Sequence, residues 1–392
     1  MYSIIFLLII IFLLIFTLFK LLNKNKNYFF CLLITLFIFL FVSNLQSCID
    51  ASLVGVSLVV KTIIPTIFPF SVICNLLISY DGISLYSKIL GPILCRPLKL
   101  SKSSSFPIIA SILSGYPLGC KYCCDLYELG YINRKEFERL LNIASNSSPM
   151  FLIGSVGATM LGNIKLGFIL LIGNYLSPLI IGILTIRKNK NIPEMKEMIS
   201  KENSAPNFGM SLKVAFEKGI NTTMQIAAFV VMFSIIISII KNNAYISIIF
   251  SSIESFFKLP QYCLYGLFLG SIEFTNGCKL ITTLPLSLPI KLSIISFICS
   301  FSGLSIIAQI SSFISKYNIS MLKYSYWKLI QGVISFFITL ISSNILTINS
   351  SISTSTFTKN FNSSLNFLLG AILILPLIYT LMIILKRKLH RS

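Results

Sequence analysis

Residues 220–240 contain no charged side chain, and residues 164–186 contain one, Lys165. Runs this long and this apolar match the hydrocarbon thickness of a bilayer, which takes about 20 helical residues to cross. Composition agrees. The chain has 392 residues, 55% hydrophobic and 11% charged, with a mean hydropathy of +0.87. Soluble domains carry about 25% charged residues. The expectation is an all-α polytopic membrane protein.

Two stretches break this apolar background. One is Ser114-Gly115-Tyr116-Pro117-Leu118-Gly119-Cys120-Lys121, and the other is Glu273-Phe274-Thr275-Asn276-Gly277-Cys278-Lys279. Gly, Pro and Asn make a membrane helix stop and restart. The freed backbone groups must then face protein or a water-filled cavity. A matching pair of interrupted segments, one in each half, points to the binding site of a transporter.

Charge and cysteine content exclude other classes. The formal charge of +20, from 32 Lys and Arg against 12 Asp and Glu, lies on short loops. It reads as the positive-inside rule and contact with anionic lipid headgroups, not as a nucleic-acid surface. The ten cysteines sit mostly in apolar runs and read as small buried side chains. Cys120, Cys123 and Cys124 lack a partner pair at zinc spacing, and the single histidine, His390, lies in the tail. No metal or cofactor is implied, and without a nucleophile–base pair or phosphate loop the chain does not read as an enzyme.

In chain order, residues 1–19 read as a span, lacking the basic n-region and A-x-A-like site of a signal peptide. A second span covers 28–45, and together they form an added hairpin within 1–50. The lysines between them place that loop in the cytoplasm and the N-terminus outside. Residues 51–80 form a span interrupted at Pro65 and Pro69, and 83–102 form a surface segment. Residues 103–131 form a re-entrant hairpin with its tip at 115–119. A helix capped by Asn133 runs to Ala144 and breaks at Ser145-Asn146-Ser147-Ser148-Pro149. Its crossing finishes over 150–161, and 164–186 spans cleanly. A basic cytoplasmic linker covers 187–210.

The second half, 211–347, repeats the order. It has a span at 220–240, a surface segment at 244–258 and a second hairpin at 261–288. A crossing at 290–314 is broken at Ser300-Phe301-Ser302-Gly303, and a span covers 329–346. Lys316, Lys323 and Lys328 place the preceding loop inside. The Ser/Thr/Asn-rich 349–364 forms an external loop, 365–385 a last span, and the basic tail stays cytoplasmic. That makes about nine crossings and two hairpins by the span-length rule. The first glycine–cysteine–lysine triplet follows Gly55 by 64 residues and the second follows Gly219 by 58. An odd number of crossings between the two starts makes this an inverted repeat, 51–186 against 211–347, with two re-entrant hairpins and two broken transmembrane helices.

The motifs Ser114 to Lys121, Asp125-Leu126-Tyr127, Glu138-Arg139-Leu140-Leu141, Asn146-Ser147-Ser148-Pro149-Met150-Phe151, Glu273 to Gly277 and Ser302-Gly303-Leu304-Ser305 resemble the sporulation integral membrane protein YlbJ family, among the nucleoside-recognition or Gate-domain proteins. The resemblance covers about residues 51–327 and departs where Cys120 and Cys278 stand in place of a smaller residue. It implies a fold similar to concentrative nucleoside transporters. It also implies transport of dipicolinic acid across the outer forespore membrane of a sporulating cell.

For a dianion of that kind, Lys121 and Lys279 are candidate carboxylate partners, together with the helix N-termini that open at the hairpin tips. The alternative for each lysine is to reach an interface or to pair with an acid such as Asp125. Glu273, set between apolar residues and a break, is a candidate proton-coupling group, or else a structural partner of Lys279. Asn146, Ser147, Ser148, Thr275, Asn276 and Ser302 bring short polar groups that either bind ligand or cap half-helices. Gly115, Pro117, Gly119, Pro149, Gly277 and Gly303 shape the backbone. A nucleoside carrier of the same fold and a non-transport envelope protein are the rival readings. Lipids and a small anion are the implied partners, and a homo-oligomer is compatible with them.

Overall fold

A computed structural model describes residues 26–186 and 207–348. The expected span at 1–19, most of the linker, the loop after 348 and the last span lie outside them. Every regular element among the described residues is helical.

Helix α1 (Lys26–Ser43) leads into α2 (Leu45–Leu58), a π-helical segment (Val59–Ile63) and α3 (Ile64–Ser79). These last three form one continuous 35-residue passage, Leu45–Ser79. The expected interruption at Pro65 and Pro69 is therefore corrected. A proline inside a helix clashes with the carbonyl four residues back. For Pro65 that carbonyl belongs to Lys61, inside the widened π-turn, so the passage absorbs the proline without stopping.

Short helices α4 (Gly82–Ile89) and α5 (Gly91–Leu94) precede a hairpin of α6 (Ser105–Ser114) and α7 (Leu118–Glu128). Helix α8 (Arg134–Ile143) is capped by Asn133, whose side chain accepts from the Glu136 N–H. The Glu136 carboxylate does not complete a capping box. It accepts instead from the Ser101 N–H and the Ser104 hydroxyl, at the entrance to α6. After a non-helical stretch at 145–148 the chain resumes as a π-helix (Met150–Met160), followed by α9 (Ile164–Leu184).

The remainder follows the same order. A long helix α10 (Phe208–Asn242) and a surface helix α11 (Ala244–Phe256) lead to a hairpin of α12 (Cys263–Ile272) and α13 (Phe274–Thr283). Helices α14 (Leu288–Phe301) and α15 (Gly303–Ile314) are broken at Ser302, and α16 (Met321–Ile348) ends the described chain. Among the described residues, five passages are long and apolar enough to cross a membrane: Leu45–Ser79, Ile164–Leu184, Phe208–Asn242, Leu288–Tyr317 and Met321–Ile345.

The two long helices that open these halves lie antiparallel. Gly55 packs against Val231 and Ser234, while Gly219 packs against Val72. A second seam joins α9, α14 and α16 through buried polar groups. Asn174 donates to Ser296 and accepts from Ser300, and Ser296 also bonds Ser335 and Thr339. Gly173 is required there, since a Cβ would lie 2.1 Å from the Thr339 hydroxyl oxygen. Every hydroxyl and amide in this seam has a partner, which is how polar side chains are tolerated between apolar helices.

Candidate functional site

The two hairpin tips and the first helix break meet at one place. The Tyr116 N–H donates to the Asn146 carbonyl at 2.8 Å. Gly115, at φ +80°, packs so closely on Ser148 that a Cβ would lie 2.7 Å from its nitrogen. The ring of Phe274, at the second tip, stands edge-on to Tyr116 (centroids 5.2 Å apart) and to Phe151 (4.9 Å). Ser147 bonds the Tyr116 hydroxyl at 2.8 Å and donates to the Cys299 carbonyl, three residues before the second break, at 3.2 Å.

The four carbonyls freed at the first break are each satisfied from a different direction. Ser145 O accepts from the Lys328 ammonium (2.6 Å), Asn146 O from the Tyr116 N–H, and Ser147 O from the Tyr175 hydroxyl (3.1 Å). Ser148 O accepts from the Phe151 and Leu152 N–H groups. The N–H groups tell the opposite story. Those of Asn146, Ser147 and Ser148 find no acceptor among the described residues. Consecutive unpaired N–H groups beside the N-terminus of α7 make a site that favours an anion. The first break thus carries unpaired N–H groups, and the rings of Tyr116, Phe151 and Phe274 pack together beside it.

The polar candidates from sequence divide. Asn146 is buried, donating to the Ile143 carbonyl and accepting from Gln331. Ser148 is half-buried and accepts from the Phe151 N–H. Ser302 is fully buried at φ +76°, with no partner for its hydroxyl among the described residues. Thr275 and Asn276 donate through their N–H groups to Glu273, which caps α13 and accepts also from the Asn276 side chain. Asn276 also accepts from Lys241 at 2.6 Å. Glu273 is thus a helix cap, and its partners are these groups and not Lys279.

The two lysines of the triplets do not face each other. Residues two apart on a helix point to nearly opposite sides. In each triplet the glycine faces its hairpin partner: Gly119 against Ser111 and Ala144, Gly277 against Gly270. The lysine is therefore turned away. Lys121 is buried against α3, bonded to Asp125 and, at 3.2 Å, to Asn75. Lys279 is exposed, close enough to Lys241 for the two ammoniums to repel. Lys121 is thus neutralised by Asp125, the alternative open to it from sequence, and Lys279 forms a basic pair with Lys241.

Of the backbone candidates, Pro117 follows a cis peptide bond and precedes α7, and Pro149 precedes the π-helix. Gly303, at φ +77°, lies against the carbonyls of Gly270 and Ile272, which ties the second break to the second hairpin.

Sequence reasoning missed Lys328, read there as a loop residue. It is fully buried on α16, about two turns inside the helix. The aromatic trio was also missed, although Tyr116, Phe151 and Phe274 each stand within two residues of a break. Ser147 is the hub that joins the first tip and the α14 carbonyl before the second break to the first break. Ser147→Ala is expected to cost about 1–3 kcal/mol by leaving the Tyr116 hydroxyl and the Cys299 carbonyl unpaired. Thermal unfolding in detergent checks this, and an unchanged midpoint would show that the hub is dispensable.

Residues 60–131 match the family model for Gate, described as nucleoside recognition. Sporulation integral membrane protein YlbJ of Bacillus subtilis (strain 168) is 27% identical over 312 residues, covering 74% of this chain and 76% of that protein. Among solved structures, a CNTnw variant in an outward-facing state is similar at a TM-score of 0.44 and 16% identity, covering 79% of this chain and 85% of that one. A second CNTnw variant, also outward-facing, is similar at 0.46 and 17%, covering 74% and 76%.

Proposed function

Because the Gate match and the YlbJ relative support assigning the chain to that family of membrane proteins, we propose that it is a secondary carrier for a small aromatic dicarboxylate, dipicolinic acid, working in the outer forespore membrane. The observation that carries this reading is the pairing of unpaired Asn146, Ser147 and Ser148 N–H groups with the rings of Tyr116, Phe151 and Phe274. One carboxylate binds the N–H groups, and the planar ring lies against the aromatic edges. The basic pair of Lys241 and Lys279 draws in the second carboxylate. A nucleoside has no charge for that pair to attract.

The halves 51–186 and 211–347 act in this reading as inverted repeats, with the N-terminus outside and the C-terminus cytoplasmic. The antiparallel packing of α2–α3 on α10 supports it. Gly219 meets Val72, seventeen residues beyond Gly55, and Gly55 meets Val231 and Ser234, twelve and fifteen beyond Gly219. Such near-reciprocal contacts are what a two-fold axis in the membrane plane produces. Alternating access then rocks one half against the other around the meeting point of the tips.

Uptake of labelled dipicolinate into proteoliposomes tests the proposal, with uridine as competitor. Phe274→Ala and the double change Lys241→Ala with Lys279→Ala are each expected to lower uptake at least about tenfold, the equivalent of about 1.4 kcal/mol. Uridine is expected to leave it unaffected. Saturable uridine uptake without dipicolinate flux would replace this reading with a nucleoside carrier. No flux of either from folded protein would refute the carrier.

A further inference from the structure

Lys328 is a lysine buried in the first helix break with no carboxylate beside it. Its Nζ donates to the Ser145 carbonyl at 2.6 Å and to Gln331 Oε1 at 2.9 Å, and Gln331 in turn donates to Asn146 Oδ1 at 3.0 Å. The residue is 0% exposed, and no acid lies within ion-pairing distance of it among the described residues. A lone buried charge is expensive, and inside a membrane protein it is by default a functional group.

What holds it is the Ser145 carbonyl, in the unwound stretch that follows α8. Where a helix is broken within the membrane, unwound backbone carbonyls coordinate a coupling cation. Here a side-chain ammonium stands at such a carbonyl. The titratable groups around it are accounted for. Tyr324 bonds Ser145, and the Cys120 thiol lies nearby. On α8, Glu136 is held by Ser101 and Ser104, Glu138 by Lys323, and Arg139 by the carbonyls of Leu98, Lys99 and Gly182. On α9, Tyr175 bonds Ser147 O; on α14, Cys299 lies beside Cys278 and Lys291 bonds Thr282 O. None of these contacts supplies a negative charge to Nζ.

We propose that Lys328 is a tethered coupling cation, which makes this carrier proton-driven and independent of sodium. The proposal rests on the carrier reading above. A free ion would dissociate when the break rearranges. A tethered ammonium vacates its charge only by giving one N–H proton to water, leaving the neutral amine. It regains the charge by taking one proton from water on the other side. No other bond changes.

Proteoliposomes carrying the full chain, in choline medium, are expected to accumulate dipicolinate when a pH gradient is imposed. Lys328→Gln, which keeps a donor for Ser145 O, is expected to lose gradient-driven accumulation while still exchanging labelled for unlabelled dipicolinate. Accumulation by Lys328→Gln equal to wild type, or a sodium requirement in wild type, would overturn the proposal. Should wild type move no dipicolinate at all, the carrier reading fails and thermal unfolding decides the cation site. Methylammonium is then expected to raise the midpoint of Lys328→Ala, expressed and purified in its presence, but not that of wild type. A wild-type midpoint raised by sodium, or no response of Lys328→Ala to methylammonium, would overturn the tethered cation.

Discussion

Valine at Gly119 or at Gly277 is expected to yield no stably folded protein. A Cβ at Gly119 would lie 2.2 Å from the Ala144 carbonyl oxygen and 2.6 Å from the Ser111 Cβ. At Gly277 it would lie 2.2 Å from the Gly270 Cα and 2.6 Å from its nitrogen. Overpacking costs about 1–3 kcal/mol when neighbouring side chains can give way. Here the obstacles are largely backbone, so the two arms of a hairpin must separate, and the expected cost exceeds about 4 kcal/mol. Gly119 carries a second consequence, because Ala144 leads into the first break. Forcing the hairpin off it would also disturb the Tyr116 to Asn146 bond that joins tip and break. The check is the yield of monodisperse protein in detergent and its unfolding midpoint, with Gly154→Ala as control. Gly154 has nothing within 4 Å of its added Cβ, so that change is expected to be nearly silent. A Gly277→Val protein that unfolds within a few degrees of wild type would refute this account of the hairpins.

The second large effect is expected at Glu254. The residue is only 2% exposed, on α11, yet its carboxylate faces no lysine or arginine within ion-pair distance among the described residues. One oxygen accepts from the Tyr262 N–H at 2.8 Å, the other from Leu264 at 2.8 Å and Tyr265 at 3.1 Å. These N–H groups open α12, the first arm of the second hairpin, and a helix leaves such donors unpaired by construction. A carboxylate there is stabilised by the helix dipole and by charge-assisted hydrogen bonds. Glu254→Leu removes three hydrogen bonds at once and should cost about 3–5 kcal/mol. Glu254→Gln keeps one carbonyl oxygen and should fall between. Hydrogen exchange at residues 262–265 is expected to rise in Glu254→Leu together with a lowered unfolding midpoint. Unchanged protection at those amides would show that α11 does not hold the hairpin.

The sequence by itself determined the element order. Apolar runs of membrane length, separated by Gly, Pro and Asn at the hairpin tips and by serines at the breaks, are local features. Local steric and hydrogen-bonding rules act on them directly. The α6–α7 and α12–α13 hairpins, the Asn133 cap, and the breaks at 145–148 and Ser302 were legible for that reason. Pro65 misled because a π-turn placed one turn earlier can absorb a proline, and residue type does not announce that.

Only the tertiary structure decided where the charges went. Lys121 and Lys279 share a motif, yet one is buried against Asp125 and Asn75 and the other is exposed beside Lys241. Lys328 looked like one more positive-inside lysine, and it lies at the core of the first break. The physical reason is that a lysine's environment is set by partners far away in the chain. Ser145 lies 183 residues from Lys328, and Asn75 lies 46 from Lys121. Hydropathy reports how much a charge would cost in lipid. It carries no record of which distant carbonyl or amide will meet it.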